Sequence, residues 1–217
     1  MSCISYHKID DVTIGVWKIE EDIQALKGMV YMDKFDEDKF LSFRSTSRKL
    51  EFLSVRALLA EMLGKDARIV YNKNNKPFLR DGSNFISITH SHDLTAIICS
   101  PSSKVGIDLE YMRSTISSIS FKFINRKESI TKNKHLKKNH LYIHWCAKEA
   151  IYKICDKEGI SIKNNISIDH FEVKDFGKIK GKVVTKKIDE IFDLQYCRYD
   201  NYTIVWTKKA YDELNFL

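Results

Sequence analysis

"VGIDLEYMR", Val105–Arg113, sets two carboxylates two positions apart in an otherwise apolar run. Read as a strand, it turns Val105, Ile107 and Leu109 one way and Gly106, Asp108 and Glu110 the other. Asp108 and Glu110 then share a face about 7 Å apart, from which both can reach one hard cation such as Mg²⁺, directly or through water. Gly106 removes a side chain beside them and predicts room for a ligand at the backbone. A half-buried strand with a solvated acidic face fits these nine residues at least as well. The rest of the chain has to decide.

At 217 residues, with 43% hydrophobic and 12% aromatic content, the chain is long enough to bury a core and too apolar for disorder. No run approaches the roughly 18 apolar residues of a membrane span. The first residues meet charge at Lys8 without an apolar stretch before it, so no secretory signal is expected. Cysteines at 3, 99, 146, 155 and 197 form no CxxC pair, which predicts reduced thiols in a cytoplasmic protein. The formal charge is +7, and segment 121–140, "FKFINRKESITKNKHLKKNH", holds seven Lys or Arg against Glu128 alone. Such a patch attracts nucleic acid, phosphorylated ligands or an acidic protein, unless it is simply a solvated lysine-rich loop.

Helical periodicity over 47–63, in "SRKLEFLSVRALLAEML", ends at Gly64. Arg48 and Arg56 on it are eight apart and are expected to project from nearly the same side. "ARIVYNKNNKPFL" reads as strand, turn and strand start, and "FISITHS" and "LTAIICS" as two strands around "HSHD". A second helix, 141–155, carries "HWCAKEAIYKIC". After it, "HFEVKD", "KIKGKVVT", "DLQYCRYD" and "YTIVWTKK" read as short strands, with Asp200-Asn201 as a hairpin tip. Helix plus strands, then helix plus strands again, predicts two similar α+β lobes.

Three constellations could carry chemistry. Asp108 and Glu110 form the first. Glu149 and Lys153 form the second: four apart, they make an ordinary surface ion pair, but they also sit at the edge of an apolar arc, where they can face a cleft. A third acid would complete a carboxylate-rich magnesium site, and a lysine one turn on suits a phosphate. The third is Lys76, placed by Pro77, with His90 between the hydroxyls of Thr89 and Ser91, donors that fit a phosphate or pyrophosphate. His135, His140 and His144 lack further placed ligands for zinc, and Cys146 reads as a small packing residue.

The order K-P-x-L (Lys76–Leu79), I-T-H-S (Ile88–Ser91), V-G-I-D-L-E (Val105–Glu110), W-C-A-K-E-A-x-x-K (Trp145–Lys153) resembles the 4′-phosphopantetheinyl transferase superfamily. It is most similar to the two-lobed, single-chain, surfactin-synthetase-activating type that serves peptide and polyketide synthetases. The likeness covers about residues 40–155. A further family pattern, F-F-(S/T)-x-x-E, reads here Phe123-Ile124-Asn125-Arg126-Lys127-Glu128, with its second aromatic and hydroxyl replaced.

The resemblance implies an α+β fold of two pseudo-symmetric lobes, each a helix on a small, mainly antiparallel sheet, with the active site in the cleft between them. It implies a coenzyme A-binding lobe at 1–103, and at 104–217 a lobe with metal-binding acids and carrier docking. The implied reaction moves the 4′-phosphopantetheine arm of coenzyme A onto a serine hydroxyl of an apo acyl or peptidyl carrier protein, releasing adenosine 3′,5′-bisphosphate. Asp108, Glu110 and Glu149 would hold Mg²⁺, with Asp108 also beside the coenzyme. Lys153, Lys76, His90, Thr89, Ser91, Arg48 and Arg44 would contact coenzyme A. The base would be Glu149, or a metal-bound water oriented by Glu128, with Lys153 beside them. The basic segment 121–140 would steer an acidic carrier protein. A cytoplasmic monomer without nucleic-acid or membrane partner is expected. Competing classes are a basic nucleic-acid-binding module and a phosphate- or coenzyme A-binding regulator that has lost catalysis.

Overall fold

The computed structural model describes residues 3–155 and 159–210. The chain divides into two units, Met1–Pro101 and Ser102–Leu217, two residues ahead of the expected division. The protein is α+β, built from small antiparallel sheets and helices.

The first unit runs β1 (Cys3–Ile9), β2 (Val12–Lys18), α1 (Ile23–Met29), α2 (Lys34–Ser42), α3 (Thr46–Leu63), β3 (Ile69–Tyr71), β4 (Pro77–Leu79), β5 (Phe85–Ser91) and β6 (Leu94–Ser100). Strands β1-β2-β6-β5 make one antiparallel sheet, and β3 and β4 pair separately. Helix α3 begins where the Ser45 side chain accepts the Arg48 N–H, and ends at Gly64, whose φ of +93° is cheap only for glycine. The helix lies against β2, and Gly15 is what lets it approach. A Cβ there would stand 2.6 Å from Met62 Sδ and 2.9 Å from Leu58 Cδ1. Leu53, Leu58 and Leu59 of α3 pack with Ile86 and Ile97 of the sheet into the core.

The expected pairing of Arg48 with Arg56 does not hold. Eight residues turn a helix through about 80° beyond two full turns, and that difference separates core from solvent. Arg56 is buried, with Nη2 on the Asp36 carboxylate of α2 and its guanidinium 3.3 Å from the Phe52 ring, whereas Arg48 is exposed.

The second unit runs β7 (Ser103–Tyr111), α4 (Ile116–Ile119), a 3₁₀ turn (Ser120–Lys122), α5 (Lys134–Cys155), α6 (Ile162–Asn165), β8 (Ile166–Ile168), β9 (Phe176–Val184), β10 (Asp189–Tyr199) and β11 (Tyr202–Ala210). Its five strands lie in the order β7-β11-β10-β9-β8, all antiparallel. Helix α5 covers the sheet: Ala147, Ile151 and Ile154 pack on Ile168, Ile179, Leu194 and Val205.

Two expectations are corrected in this unit. "HFEVKD" is not a strand; the edge strand is Ile166–Ile168. Beyond it, the Tyr196 hydroxyl accepts the Lys174 N–H and donates to the Glu172 carbonyl, so side-chain bonds replace a ladder. Helix α5 also starts seven residues earlier than periodicity suggested. Asn133 caps it, its side chain accepting the His135 N–H and its carbonyl the Lys137 N–H. About a third of the basic segment, residues 134–140, therefore belongs to α5 rather than to a loop. That first stretch is polar, so it left no apolar stripe to read.

The four cysteines at 99, 146, 155 and 197 are free thiols, and Cys3's side chain lies outside the described ones. Among the described residues no helix is long and apolar enough to cross a membrane.

Candidate active site

Strand β7 and helix α5 are tied together along one line. Trp145, Glu149 and Lys153 recur at intervals of four and so form one stripe of α5. Facing them, Glu110, Asp108 and Gly106 recur at intervals of two on β7. Trp145 Nε1 donates to Glu110 Oε1 at 3.3 Å, and Lys153 Nζ donates to Asp108 Oδ1 and to the Ile107 carbonyl, both at 2.8 Å. At the third rung the backbone itself makes contact, because a Cβ on Gly106 would collide with the Ala150 carbonyl oxygen. Gly106 is thus the seat of the helix, and the expected ligand space beside it is filled by α5. Helix α3 uses Gly15 in the first unit for the same reason.

The middle of β7 is enclosed on both faces. Val105, Ile107 and Leu109 are buried on one side, and on the other Asp108 is only 6% exposed. An aspartate so enclosed needs a partner, and Lys153 supplies it. Glu149, on the stripe between Trp145 and Lys153, stands close enough to feel both strand acids. Burial, then the Asp108 charge, raises its carboxyl to about 7, with Lys153 opposing and Glu110 adding a smaller push. Three carboxylates against one ammonium leave a formal charge of −2 when all are ionised.

Among the described residues, no three His, Cys, Asp or Glu side chains form a ready metal cage. Mg²⁺ does not require one: it commonly takes one or two carboxylates and completes its shell with water and substrate phosphate. An all-oxygen donor set with surplus negative charge, already strained enough to raise Glu149, fits a divalent cation of that kind.

Glu128 stands apart from this line. Its side chain is 0% exposed and fully enclosed. Oε2 accepts from Lys148 Nζ at 2.7 Å and from the Asn125 N–H at 2.9 Å, while Oε1 accepts the Ile168 N–H at 2.9 Å. His144 Nδ1 lies 3.4 Å from Oε1, a long contact. Burial alone would raise the carboxyl, but His144, the Asn125 amide and Lys148 outweigh it and hold it below its ordinary range. Lys148, itself wholly buried, also donates to the Phe123 carbonyl at 2.7 Å. Behind it, His144 Nε2 and His140 Nε2 are 3.2 Å apart, and His140 Nδ1 accepts the Thr131 N–H at 3.0 Å. This network fastens the basic segment to α5 and β8. An enclosed carboxylate with these partners anchors the segment around it.

The residues of the first unit fall into two groups. On α3 and β5, Arg48 and His90 meet: Arg48 Nη1 is 3.3 Å from His90 Nε2. Thr89 and Ser91 point to the opposite face of β5 from His90, as strand alternation demands. Lys76 is held by its backbone in the β3–β4 turn, where its N–H bonds the Asn72 side chain, and β4 neighbours β5. Arg44 is exposed between α2 and α3. Sequence reasoning assigned no part to Glu51, Lys148 or the Trp145 N–H. Glu51's spacing of three from Arg48 on a helix, and Lys148's place next to Glu149, were the available signals.

Residues 104–207 match the model of the 4′-phosphopantetheinyl transferase superfamily. The match runs from β7 into β11, so it contains Asp108, Glu110, Glu149 and Lys153. No curated protein gives a significant match to the chain.

Proposed function

We propose that this chain, with its phosphopantetheinyl transferase superfamily domain, moves the 4′-phosphopantetheine arm of coenzyme A onto a serine hydroxyl of an apo acyl or peptidyl carrier protein. Adenosine 3′,5′-bisphosphate leaves. The observation that carries the reading is the pairing of Trp145, Glu149 and Lys153 on α5 with Glu110 and Asp108 on β7. An ordinary surface helix has no reason to bury a carboxylate cluster of surplus charge.

Asp108, Glu110 and Glu149 would hold Mg²⁺, which when bound neutralises the pyrophosphate and the charge growing on its leaving oxygen. Lys153 holds Asp108 in place and adds a fixed positive charge beside the phosphates. Trp145 holds one oxygen of Glu110 and so orients its carboxylate. Glu149 is the carboxylate best suited to accept the serine proton, since it is only half-buried and Glu128 is enclosed. In the first unit, Arg48 and His90, with Lys76, Arg44, Thr89 and Ser91, would contact the coenzyme.

The lysines and arginines at 122, 126, 127, 132, 134 and 137 are exposed, which supports a docking face for an acidic carrier. The working form would be a cytoplasmic monomer. Incubation with coenzyme A, Mg²⁺ and a panel of apo-carriers, read by mass spectrometry, tests the proposal. A phosphopantetheine mass gain on at least one carrier is expected, and none on any carrier overturns it.

A further inference from the structure

Helix α3 and strand β5 bring together three side chains of the first unit. Glu51 Oε2 accepts from Arg48 Nη1 at 2.9 Å and lies 3.4 Å from His90 Nδ1. Arg48 Nη1 also reaches His90 Nε2 at 3.3 Å. A guanidinium only donates, so His90 Nε2 accepts, and the neutral ring carries its proton on Nδ1, facing Glu51. Ser47 Oγ donates to Glu51 Oε1 at 3.2 Å and fixes the other oxygen. The result is a closed ring of contacts, with a carboxylate seated where two basic groups converge. Glu51's side chain is 14% exposed and held on its helix, while Arg48's is 53% exposed and has room to turn.

We infer that Glu51 is a built-in counter-ion that competes with the phosphates of coenzyme A for Arg48 and His90. The inference rests on the reading of those two residues as coenzyme A contacts. In the ring, Arg48 Nη1 and the two His90 nitrogens face Glu51 or each other. For His90 to donate from Nε2 to a phosphate oxygen, its proton must change nitrogen or a second proton must be added, and Arg48 must withdraw. A phosphate arriving at either group also meets the Glu51 charge. One unit charge removed at about 7 Å from a phosphate dianion, at a water-like dielectric, changes affinity roughly five- to tenfold. Glu51 therefore keeps the site from binding phosphate compounds indiscriminately: a ligand succeeds only if its other contacts repay the displacement.

The test is titration calorimetry of coenzyme A, and separately of inorganic pyrophosphate, into the full chain as wild type, Glu51→Gln and His90→Ala. Glu51→Gln should tighten both ligands about five- to tenfold and steepen the salt dependence, while His90→Ala weakens coenzyme A. If Glu51→Gln leaves affinity unchanged or weakens it while His90→Ala weakens it, Glu51 orients the pair instead, and the competition is refuted. A His90→Ala affinity equal to wild type also refutes it, without touching the acids of the second unit. Failure of the wild type to bind coenzyme A at all would instead defeat the transferase reading. Nitrogen NMR of the unaltered protein gives a second measure: ligand-free His90 should be the Nδ1–H tautomer and should change on adding coenzyme A. An Nε2–H tautomer before ligand is added overturns the ring.

Discussion

Replacing Lys148 by Met isolates what the buried network contributes. The substitution keeps most of the side chain's length and apolar volume, so cavity formation adds little. What it removes are two 2.7 Å bonds, to Glu128 Oε2 and to the Phe123 carbonyl, and the cation that balances an enclosed carboxylate. Breaking a buried pair by deleting one partner costs about 3–5 kcal/mol. Glu128 keeps the N–H groups of Asn125 and Ile168 and the long His144 contact, which places the expectation near the lower end, about 3 kcal/mol. Denaturant unfolding should show the midpoint falling with an unchanged slope for the transition that reports this unit. The double variant Glu128→Leu/Lys148→Met should recover much of the loss, because no unpaired charge remains buried. The pH response adds a signature. Burial, first of all, holds His144 below its ordinary value, and Lys148 contributes. Without Lys148 the burial remains but its opposing charge is gone, so the folded pKa of His144 moves up from its wild-type position. A lowered folded pKa costs stability as pH falls, and the variant's smaller lowering costs less than the wild type's, so the variant should be hurt less at pH 6 than at pH 8. A loss under about 1 kcal/mol, or a double variant no better than the single, would refute the anchoring account.

Asp108→Asn and Glu149→Gln should each lower phosphopantetheine transfer by about 100-fold or more while circular dichroism stays unchanged; near-normal turnover in either removes that acid from the site. Burial, with the neighbouring His144 and His170, lowers His140 to about 4. The unfolded chain then takes the proton first as pH falls below about 6.5, and stability should decline by about 2–3 kcal/mol between pH 6.5 and 4. His140→Gln should flatten that decline, and an unaltered slope would place it elsewhere. Reversing the charges of Lys132, Lys134, Lys137 and Lys138 should raise KM for the carrier more than KM for coenzyme A, and an unchanged carrier KM would discard the docking face.

The sequence by itself determined the local pieces. Helix α3 was readable because its apolar rows and Gly64 are short-range signals, and β5, β6 and the β10–β11 turn were readable from alternation and turn residues. The acids at 108, 110 and 149 could be named because their motifs lie within a strand and within a helix. What the tertiary structure alone decided was which side chains are enclosed, and by what. Gly106 looked like space for a ligand until α5 was laid on it. That Glu128 is enclosed by Lys148 and two backbone N–H groups could not be read from its motif. Arg48 and Arg56 are separated by about 80° of helix turn, and which of the two is buried was decided by where α2 lies. Burial and charge pairing arise between segments tens of residues apart, and no local period encodes them. That is why the acid line was legible in the chain, while the network that anchors it and the Glu51 ring were not.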